Sequence, residues 1–205
     1  MVVDDKFVRI CASGNKDGVI EMIENESENN NVNAKILHGK SPIEVATCFG
    51  HIGVVEELIK NGVEVQQTSQ SGYTLLHWAA CWGRLELVKF FVESNVNIFL
   101  KNNNDETATE MAERYEKMDC VAFLKKAELL QNFKQLALSY KEIIADPEKN
   151  QGRFAKEDKV HGNRNCDDKL DWIEANRDIA SYQTILDKKE ELIEQLKNTM
   201  NKLEQ

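Results

Sequence analysis

The sequence predicts an all-α chain, in which a solenoid of about four helical repeats precedes a small helical tail. Three observations support this prediction. Only 2 of the 205 residues are proline, while leucine, glutamate and lysine, which favour helices, are abundant. Short motifs recur at a constant interval, and an apolar stripe with helical spacing lies near the C-terminus. We expect repeats over residues 1–128, a helix and linker over 129–151 and the tail over 152–205.

The clearest repeat spans residues 72–98. Gly72 suits a tight turn, Thr74 can cap a short apolar helix, and Gly83 can end that helix. A second helix is predicted directly afterwards, because apolar residues follow at spacings of three and four: Leu85, Leu87, Val88, Phe91 and Val92. The pattern predicts a pair of helices that buries one face against a neighbouring pair.

The same features recur along the chain at a constant interval. The recurrent positions include Ser41, Thr74 and Thr107 as caps, and Ala46, Ala79 and Ala112 within the helices. An earlier copy covers residues 7–14, and the polar run 26–31 is predicted to be a lengthened loop. The fourth copy is the most divergent, which is typical of a terminal repeat that faces water.

These motifs resemble the ankyrin repeat family. Thr74, Leu76, His77 and Ala79 stand where that family has its T-P-L-H-x-A motif, with Leu75 in place of the proline. The interval between copies is also that of the family, about 33 residues. The resemblance implies a protein-binding solenoid that contacts partners through its turns and the exposed positions of each first helix. Those positions are the residue before each cap and the two before each closing glycine: Lys40, Cys48, Phe49, Tyr73, Cys81, Trp82, Glu106, Arg114 and Tyr115.

Three of these residues, Phe49, Trp82 and Tyr115, are separated by the same interval, and we call them the aromatic ladder. Aromatic anchors beside charged residues often dominate protein interfaces, so we interpret Lys40, Phe49, Tyr73, Trp82, Glu106 and Tyr115 as partner-binding residues. The alternative is that the aromatic ladder packs against the next repeat or against the C-terminal helices. The sequence leaves both interpretations open.

Catalysis and cofactor binding find little support. His77 and Cys81, one helical turn apart, could form a thiol nucleophile and its base, but His77 occupies the position of the family's structural histidine. The other histidines, His38, His51 and His161, lack metal-ligand spacing, and no glycine-rich phosphate loop occurs. We therefore expect a non-enzymatic chain without a catalytic residue, a metal or a cofactor.

The tail resembles the C-terminal helical lid of Hsp70 chaperones. The ordered spacing of Asp158, Lys159, Cys166, Trp172 and Asn176 matches that family, and a long helix over about 181–203 follows. Gly162 departs from the pattern and predicts a short or broken first helix. Nothing in the sequence resembles the chaperone's ATPase domain or its β-sandwich. An earlier helix, ending at Asp146-Pro147, is predicted to precede the tail.

The tail's apolar stripe has two interpretations. It consists of Tyr182, Ile185, Leu192, Leu196, Met200 and Leu203. The stripe could pack on the helix around residues 170–173 as a hairpin, which we prefer because a single amphipathic helix is rarely stable alone. It could instead dock on a partner as a helix in a groove or a short coiled coil.

Composition limits the partners. A net charge of −9 disfavours nucleic acid, and there is no apolar run long enough for a membrane span or a signal peptide. Five scattered cysteines indicate a reducing compartment, so we expect a cytoplasmic protein. Ankyrin-like repeats followed by a lid-like tail resemble a group of small proteins of ciliated eukaryotes, which implies the cilium, its axoneme and cytoskeleton, or the midbody.

The sequence therefore predicts a scaffold or adaptor that binds other proteins, such as subunits of an axonemal complex. Two alternatives remain open: a co-chaperone-like factor that binds an Hsp70 or its client through the tail, and an adaptor in cell division at the midbody.

Overall fold

The computed structural model describes residues 5–24 and 40–203, and the chain divides into two compact units, Met1–Lys125 and Lys126–Gln205. Within the described residues, all regular structure is helical. The prediction of an all-α fold with a repeat solenoid is confirmed. The loop predicted at 26–31 lies outside the described residues, as does His38.

Unit 1 is a stack of helix pairs. Its helices are α1 (Asp5–Ser13), α2 (Lys16–Glu24), α3 (Pro42–Phe49), α4 (Ile52–Lys60), α5 (Leu75–Cys81), α6 (Leu85–Glu93), α7 (Ala108–Arg114) and the beginning of α8 (Met118–Ala145). The first helices of successive pairs pack in a row, α1 on α3, α3 on α5 and α5 on α7, while α2 packs on α4. Each pair thus contacts its sequence neighbours, which is the arrangement of a solenoid.

Each of α3, α5 and α7 begins with the same reciprocal cap. The side chain of the first residue accepts a hydrogen bond from the backbone three residues later, and that later side chain accepts one from the backbone of the first. The pairs are Ser41 with Glu44, Thr74 with His77, and Thr107 with Glu110. The predicted cap at Thr74 is confirmed, and the other two repeat it at equal intervals on either side.

The residue that closes each first helix adopts a left-handed conformation. Gly50 has φ of 86° and Gly83 has φ of 67°, values that glycine reaches without a steric penalty. In the fourth repeat, Glu116 occupies the equivalent position with φ of 57°. A side chain there destabilises the turn, because its Cβ approaches the following carbonyl oxygen.

Helix α8 is continuous from Met118 to Ala145. The prediction of a separate helix after residue 128 is therefore wrong, because that segment continues the helix that begins in the fourth repeat. Neither glycine nor proline occurs between these bounds, so nothing in the sequence interrupts the helix. The predicted end before Asp146-Pro147 is confirmed. The division between the units, after Lys125, falls within this helix, as does the end of the predicted repeat segment at 128.

Unit 2 contains the later part of α8 with α9 (Lys156–Asn176), α10 (Tyr182–Met200) and a short 3₁₀ turn at Asn201–Leu203. The prediction of a short or broken helix around Gly162 is wrong, because α9 is continuous. A Cβ at Gly162 would lie 2.6 Å from Ile144 Cδ1. The glycine is therefore a point of close packing against α8, and this packing outweighs its low helix propensity.

The apolar stripe of α10 faces the core of unit 2. Ile185, Leu192 and Leu196 are fully buried, and Met200 and Leu203 pack at the edge of that core. The three buried residues are not available to dock on a partner, because α9 and α8 already cover them. Of the predicted docking residues, Tyr182 alone is exposed. The packed hairpin that we preferred is the arrangement observed.

A buried lysine links α9 to α10. Lys169 donates a hydrogen bond of 2.7 Å to Glu191 Oε1, and Lys188 donates one of 2.7 Å to Glu191 Oε2. These two ammonium groups lower the pKa of Glu191 from its ordinary value of 4.5 to about 2. The carboxylate of Glu191 thereby compensates the charge of the buried ammonium of Lys169.

We expect Glu116→Gly to stabilise the protein by about 1 kcal/mol, because glycine relieves the strain of the left-handed turn. The matched control is Glu113→Gly in α7, which should destabilise it by about 1 kcal/mol, since glycine is a poor helix former. Urea unfolding measures both changes. Destabilisation of similar size by the two glycines would contradict the interpretation of Glu116.

We expect Glu191→Gln to destabilise the protein by about 1 kcal/mol at neutral pH, a value reduced because Glu191 is partly exposed to solvent. Because the folded state lowers the pKa of Glu191, its contribution is complete above pH 4.5 and is lost as the pH falls toward about 2. Thermal unfolding across this range measures the difference. Glu194→Gln is the control, because exposed Glu194 forms its ion pair with the exposed Lys197 on the same helix. A difference from wild type that does not change with pH would contradict the prediction.

Candidate protein-binding surface

The aromatic ladder is exposed in all three repeats. Phe49 ends α3, while Trp82 and Tyr115 directly follow α5 and α7. Their exposed fractions are 56%, 51% and 48%. Large aromatic side chains that remain about half exposed at equivalent positions of successive repeats are typical of a contact surface. The turn that each one precedes holds it at the end of its helix.

Lys40 and Tyr73, which precede the caps of α3 and α5, both contact Trp78. Lys40 Nζ lies 3.9 Å from the centre of the Trp78 ring, and the Tyr73 ring stacks on the same tryptophan at 4.8 Å between ring centres. Trp78 Nε1 donates a hydrogen bond of 3.2 Å to Glu44 Oε1. Lys40 and Tyr73 are therefore half-buried and held by contacts within the chain, so less of their surface is available than that of the aromatic ladder.

Glu106, the equivalent residue of the fourth repeat, forms an ion pair with Arg114. The distance between Arg114 Nη2 and Glu106 Oε2 is 2.7 Å. The guanidinium carbon of Arg114 lies 5.4 Å from the centre of the Tyr115 ring. The charge of Arg114 is thus held beside the last aromatic of the ladder by a cation–π contact and an ion pair.

Cys48 and Cys81 were expected on the exposed face, and that expectation is wrong. Both thiols are buried, because α5 packs beside α3 and α7 beside α5. Burial raises the pKa of each thiol above its usual value. Neutral, covered thiols at these positions contribute to packing between repeats rather than to a surface.

The geometry around His77 excludes the proposed catalytic pair. His77 Nδ1 accepts a hydrogen bond from the Thr74 backbone at 3.1 Å, and Nε2 lies 3.0 Å from the Glu106 carbonyl oxygen, to which it donates. Burial lowers the pKa of His77 and raises that of Cys81. Both ring nitrogens are therefore engaged, Nδ1 in the cap of α5 and Nε2 in joining the third repeat to the fourth, and the thiol is not activated.

A row of basic side chains beside the aromatic ladder was missed in the sequence. His51, Arg84 and Lys117, which we call the basic row, each follow the residue that closes a first helix. His51 Nε2 lies 2.8 Å from the Ala12 carbonyl oxygen, and Arg84 Nε donates a hydrogen bond of 2.8 Å to the Cys48 carbonyl oxygen. Their spacing, which equals that of the aromatic ladder, was visible in the sequence and could have identified them.

The side chain of each member of the basic row packs against a glycine of the preceding repeat. A Cβ at Gly50 would lie 2.9 Å from Arg84 Cδ, and one at Gly83 would lie 2.9 Å from Lys117 Cδ. Gly14 has the same relation to the His51 ring, at 2.6 Å from Nδ1. The glycines thus let the stems of Arg84 and Lys117 lie against the backbone next to the aromatic ladder.

Among residues 5–24 and 40–203, no group of three His, Cys, Asp or Glu side chains is arranged to hold a metal ion. In the same part of the chain, no helix has the length and apolar character needed to cross a membrane.

Comparison with known proteins gives consistent matches. The family model described as ankyrin repeats (3 copies) matches residues 7–102 and 45–135. Ankyrin repeat domain-containing protein 45 of Danio rerio is 39% identical over 118 residues, which are 58% of this chain and 53% of the relative. The protein of that name in Homo sapiens is 31% identical over 154 residues, 75% of this chain and 58% of the relative.

A more distant match is neurogenic locus notch homolog protein 1 of Xenopus tropicalis, 30% identical over 81 residues, 40% of this chain and 3% of the relative. The chain spans about half the length of the Danio rerio and Homo sapiens relatives. Ankyrin repeats bind other proteins through extended surfaces of this kind. From the matched residues, the capped helix pairs and the regular interval between them, the chain belongs to the ankyrin repeat family.

Proposed function

We propose that this chain is a non-enzymatic scaffold or adaptor that binds a partner protein through the aromatic ladder. The observation that supports the proposal is the exposure of Phe49, Trp82 and Tyr115 at equivalent positions of three repeats. Truncation of central aromatic residues in an interface commonly costs about 2 kcal/mol or more, roughly a thirtyfold loss of affinity. A partner that spans the three repeats would contact all of them.

The setting that we propose is the cytoplasm at the cilium, as a subunit of an axonemal complex. What supports it is the resemblance of nearly the whole chain from about residue 7 onward, with repeats followed by a helical tail, to small ankyrin-repeat proteins of ciliated eukaryotes. An adaptor in cell division at the midbody is the alternative setting. A large assembly would use binding surfaces on both units without requiring chemistry from either.

A second candidate function is binding to an Hsp70-type chaperone through unit 2. The observation that favours it is the ordered spacing on α9 of Asp158, Lys159, Cys166, Trp172 and Asn176, which resembles that of the chaperone lid. No part of the chain resembles the peptide-binding β-sandwich. The candidate therefore predicts contact with the chaperone itself, rather than chaperone activity.

We expect the triple variant Phe49→Ala, Trp82→Ala, Tyr115→Ala to lose the partners that wild type recovers from ciliated cells by affinity purification. Each substitution truncates a side chain that is about half exposed, so circular dichroism should show that the helicity is retained. The matched control is Ile52→Ala, Phe99→Ala, Met118→Ala, which removes three exposed apolar side chains outside the aromatic ladder. It should retain the partners.

The results of the affinity purification distinguish the proposed binding surface from the proposed cellular setting. If wild type and the ladder variant recover the same proteins, the aromatic ladder is not the binding surface. If the ladder variant loses partners that are not axonemal proteins, the binding surface stands and the ciliary setting is wrong.

For the second candidate, we expect a purified Hsp70 to bind the full chain with an affinity that differs between its ATP and ADP states. Surface plasmon resonance with each nucleotide measures this difference. The ladder variant is the control, because it leaves unit 2 unchanged and should bind as wild type does. Absence of binding in both nucleotide states would contradict the candidate.

A further inference from the structure

Unit 1 is acidic overall, yet basic side chains gather beside the aromatic ladder. Its sequence contains 12 Lys and Arg residues against 19 Asp and Glu residues. Four of these cations contact residues of the ladder, their neighbours in sequence or Trp78: Lys40, Arg84, Arg114 and Lys117. Cationic side chains are thus concentrated on one surface of an otherwise acidic unit.

Arg84 and Lys117 stand next to the first two aromatics. Arg84 bonds the carbonyl oxygen of Cys48, and its stem lies against Gly50, so it contacts the residues on both sides of Phe49. The stem of Lys117 lies against Gly83, the residue after Trp82. Packing of both stems against these glycines holds the cationic side chains beside residues that are adjacent to Phe49 and Trp82 in the sequence, which limits the entropy lost when a ligand binds.

The other two cations, Lys40 and Arg114, differ in whether a carboxylate neutralises their charge. Arg114 is paired with Glu106 at 2.7 Å, and Lys40 Nζ lies 4.0 Å from Cys48 Sγ. Among the described residues, Lys40, Arg84 and Lys117 form no ion pair. The nearby carboxylates are engaged or peripheral: Glu44 is buried and bonds Trp78 and the Ser41 backbone, Glu106 pairs with Arg114, and Glu116 precedes Lys117 in an exposed turn.

We propose that the aromatic ladder and the basic row together bind an acidic, extended segment of a partner protein, whose carboxylates pair with Arg84 and Lys117 and whose apolar side chains contact Phe49 and Trp82. This inference rests on the proposed function and specifies its partner. Charge complementarity selects the occupant, because unpaired cations beside exposed rings favour anionic and apolar groups presented in alternation.

A peptide fits this surface better than a nucleic acid does. At physiological salt, charges interact over about 8–10 Å, so a short acidic segment experiences mainly the cations that it touches. A nucleic acid presents phosphates over a much longer distance and needs clustered cations along its whole path. The acidic remainder of unit 1 would repel it.

The experiment measures binding of fluorescein-labelled synthetic peptides to the full chain by fluorescence anisotropy. The probe alternates glutamate with leucine, and two matched peptides replace every glutamate with glutamine or with lysine. We expect the glutamate peptide to bind about tenfold or more tightly than the glutamine peptide, and to weaken as NaCl is raised. Equal binding of the glutamate and glutamine peptides, or no saturable binding of the glutamate peptide, would overturn the proposal.

Two charge variants test whether Arg84 and Lys117 bind the glutamate peptide. We expect Lys117→Met, which keeps the apolar stem on Gly83, to weaken binding of the glutamate peptide several-fold, and Arg84→Gln with Lys117→Met to weaken it about tenfold or more. The matched control is Lys60→Gln with Lys101→Gln, exposed cations outside the basic row that pair with Glu57 and Asp105, which should bind as wild type does. Should Arg84→Gln unfold the repeats, Lys117→Met alone still decides. Unchanged affinity in a folded Lys117→Met variant would overturn the proposal.

The same variants separate this inference from the function on which it rests. If the cellular partners are lost with the ladder variant but kept by the folded charge variants, the aromatic ladder is a binding surface and the acidic segment is the wrong ligand. If the ladder variant also keeps them, both the proposed function and this inference fail.

Discussion

Packing in both units depends on close contacts at glycine, where the absence of a Cβ lets another side chain reach the backbone. In unit 1, the stems of Arg84 and Lys117 lie against Gly50 and Gly83 of the preceding repeat. In unit 2, Ile144 of α8 lies against Gly162 of α9. A Cβ at any of these three glycines would come within 3 Å of the neighbouring side chain, so each contact fixes where two elements meet. The repeat contacts also place positive charge beside the aromatic ladder.

The repeats could be predicted because their signals are local. A cap and its partner lie three residues apart, as in Thr74 and His77, and the closing glycine requires only its own backbone conformation. The helices of unit 2 are harder to predict, because the helix propensity of a residue conflicts there with its packing. Gly162 lowers the helix propensity of α9, but its contact with Ile144 outweighs that effect, and no local pattern reveals a tertiary contact. The continuity of α8 was missed because the end of the repeat period was interpreted as the end of a helix.

The surface was predicted in outline but not in detail. Spacing placed Phe49, Trp82 and Tyr115 at equivalent positions, and all three are exposed. Spacing alone does not show what covers a side chain, so Cys48 and Cys81 were assigned to the same face although the next repeat buries them. The stripe of α10 illustrates the same limit. A helical period shows that one face is apolar, whereas the residues that cover that face come from distant parts of the chain.

The cations that we propose for binding also couple neighbouring repeats. The stability of a solenoid is approximately the sum of the stabilities of its repeats and of the contacts between neighbours. Arg84 joins the third repeat to the second through the Cys48 carbonyl oxygen, and Lys117 packs the fourth against the third. A ligand that contacts both cations therefore bridges the junctions that hold the stack together. If this ligand requires aligned repeats, its binding free energy would add to their mutual stability, including that of the divergent fourth repeat with its strained turn at Glu116.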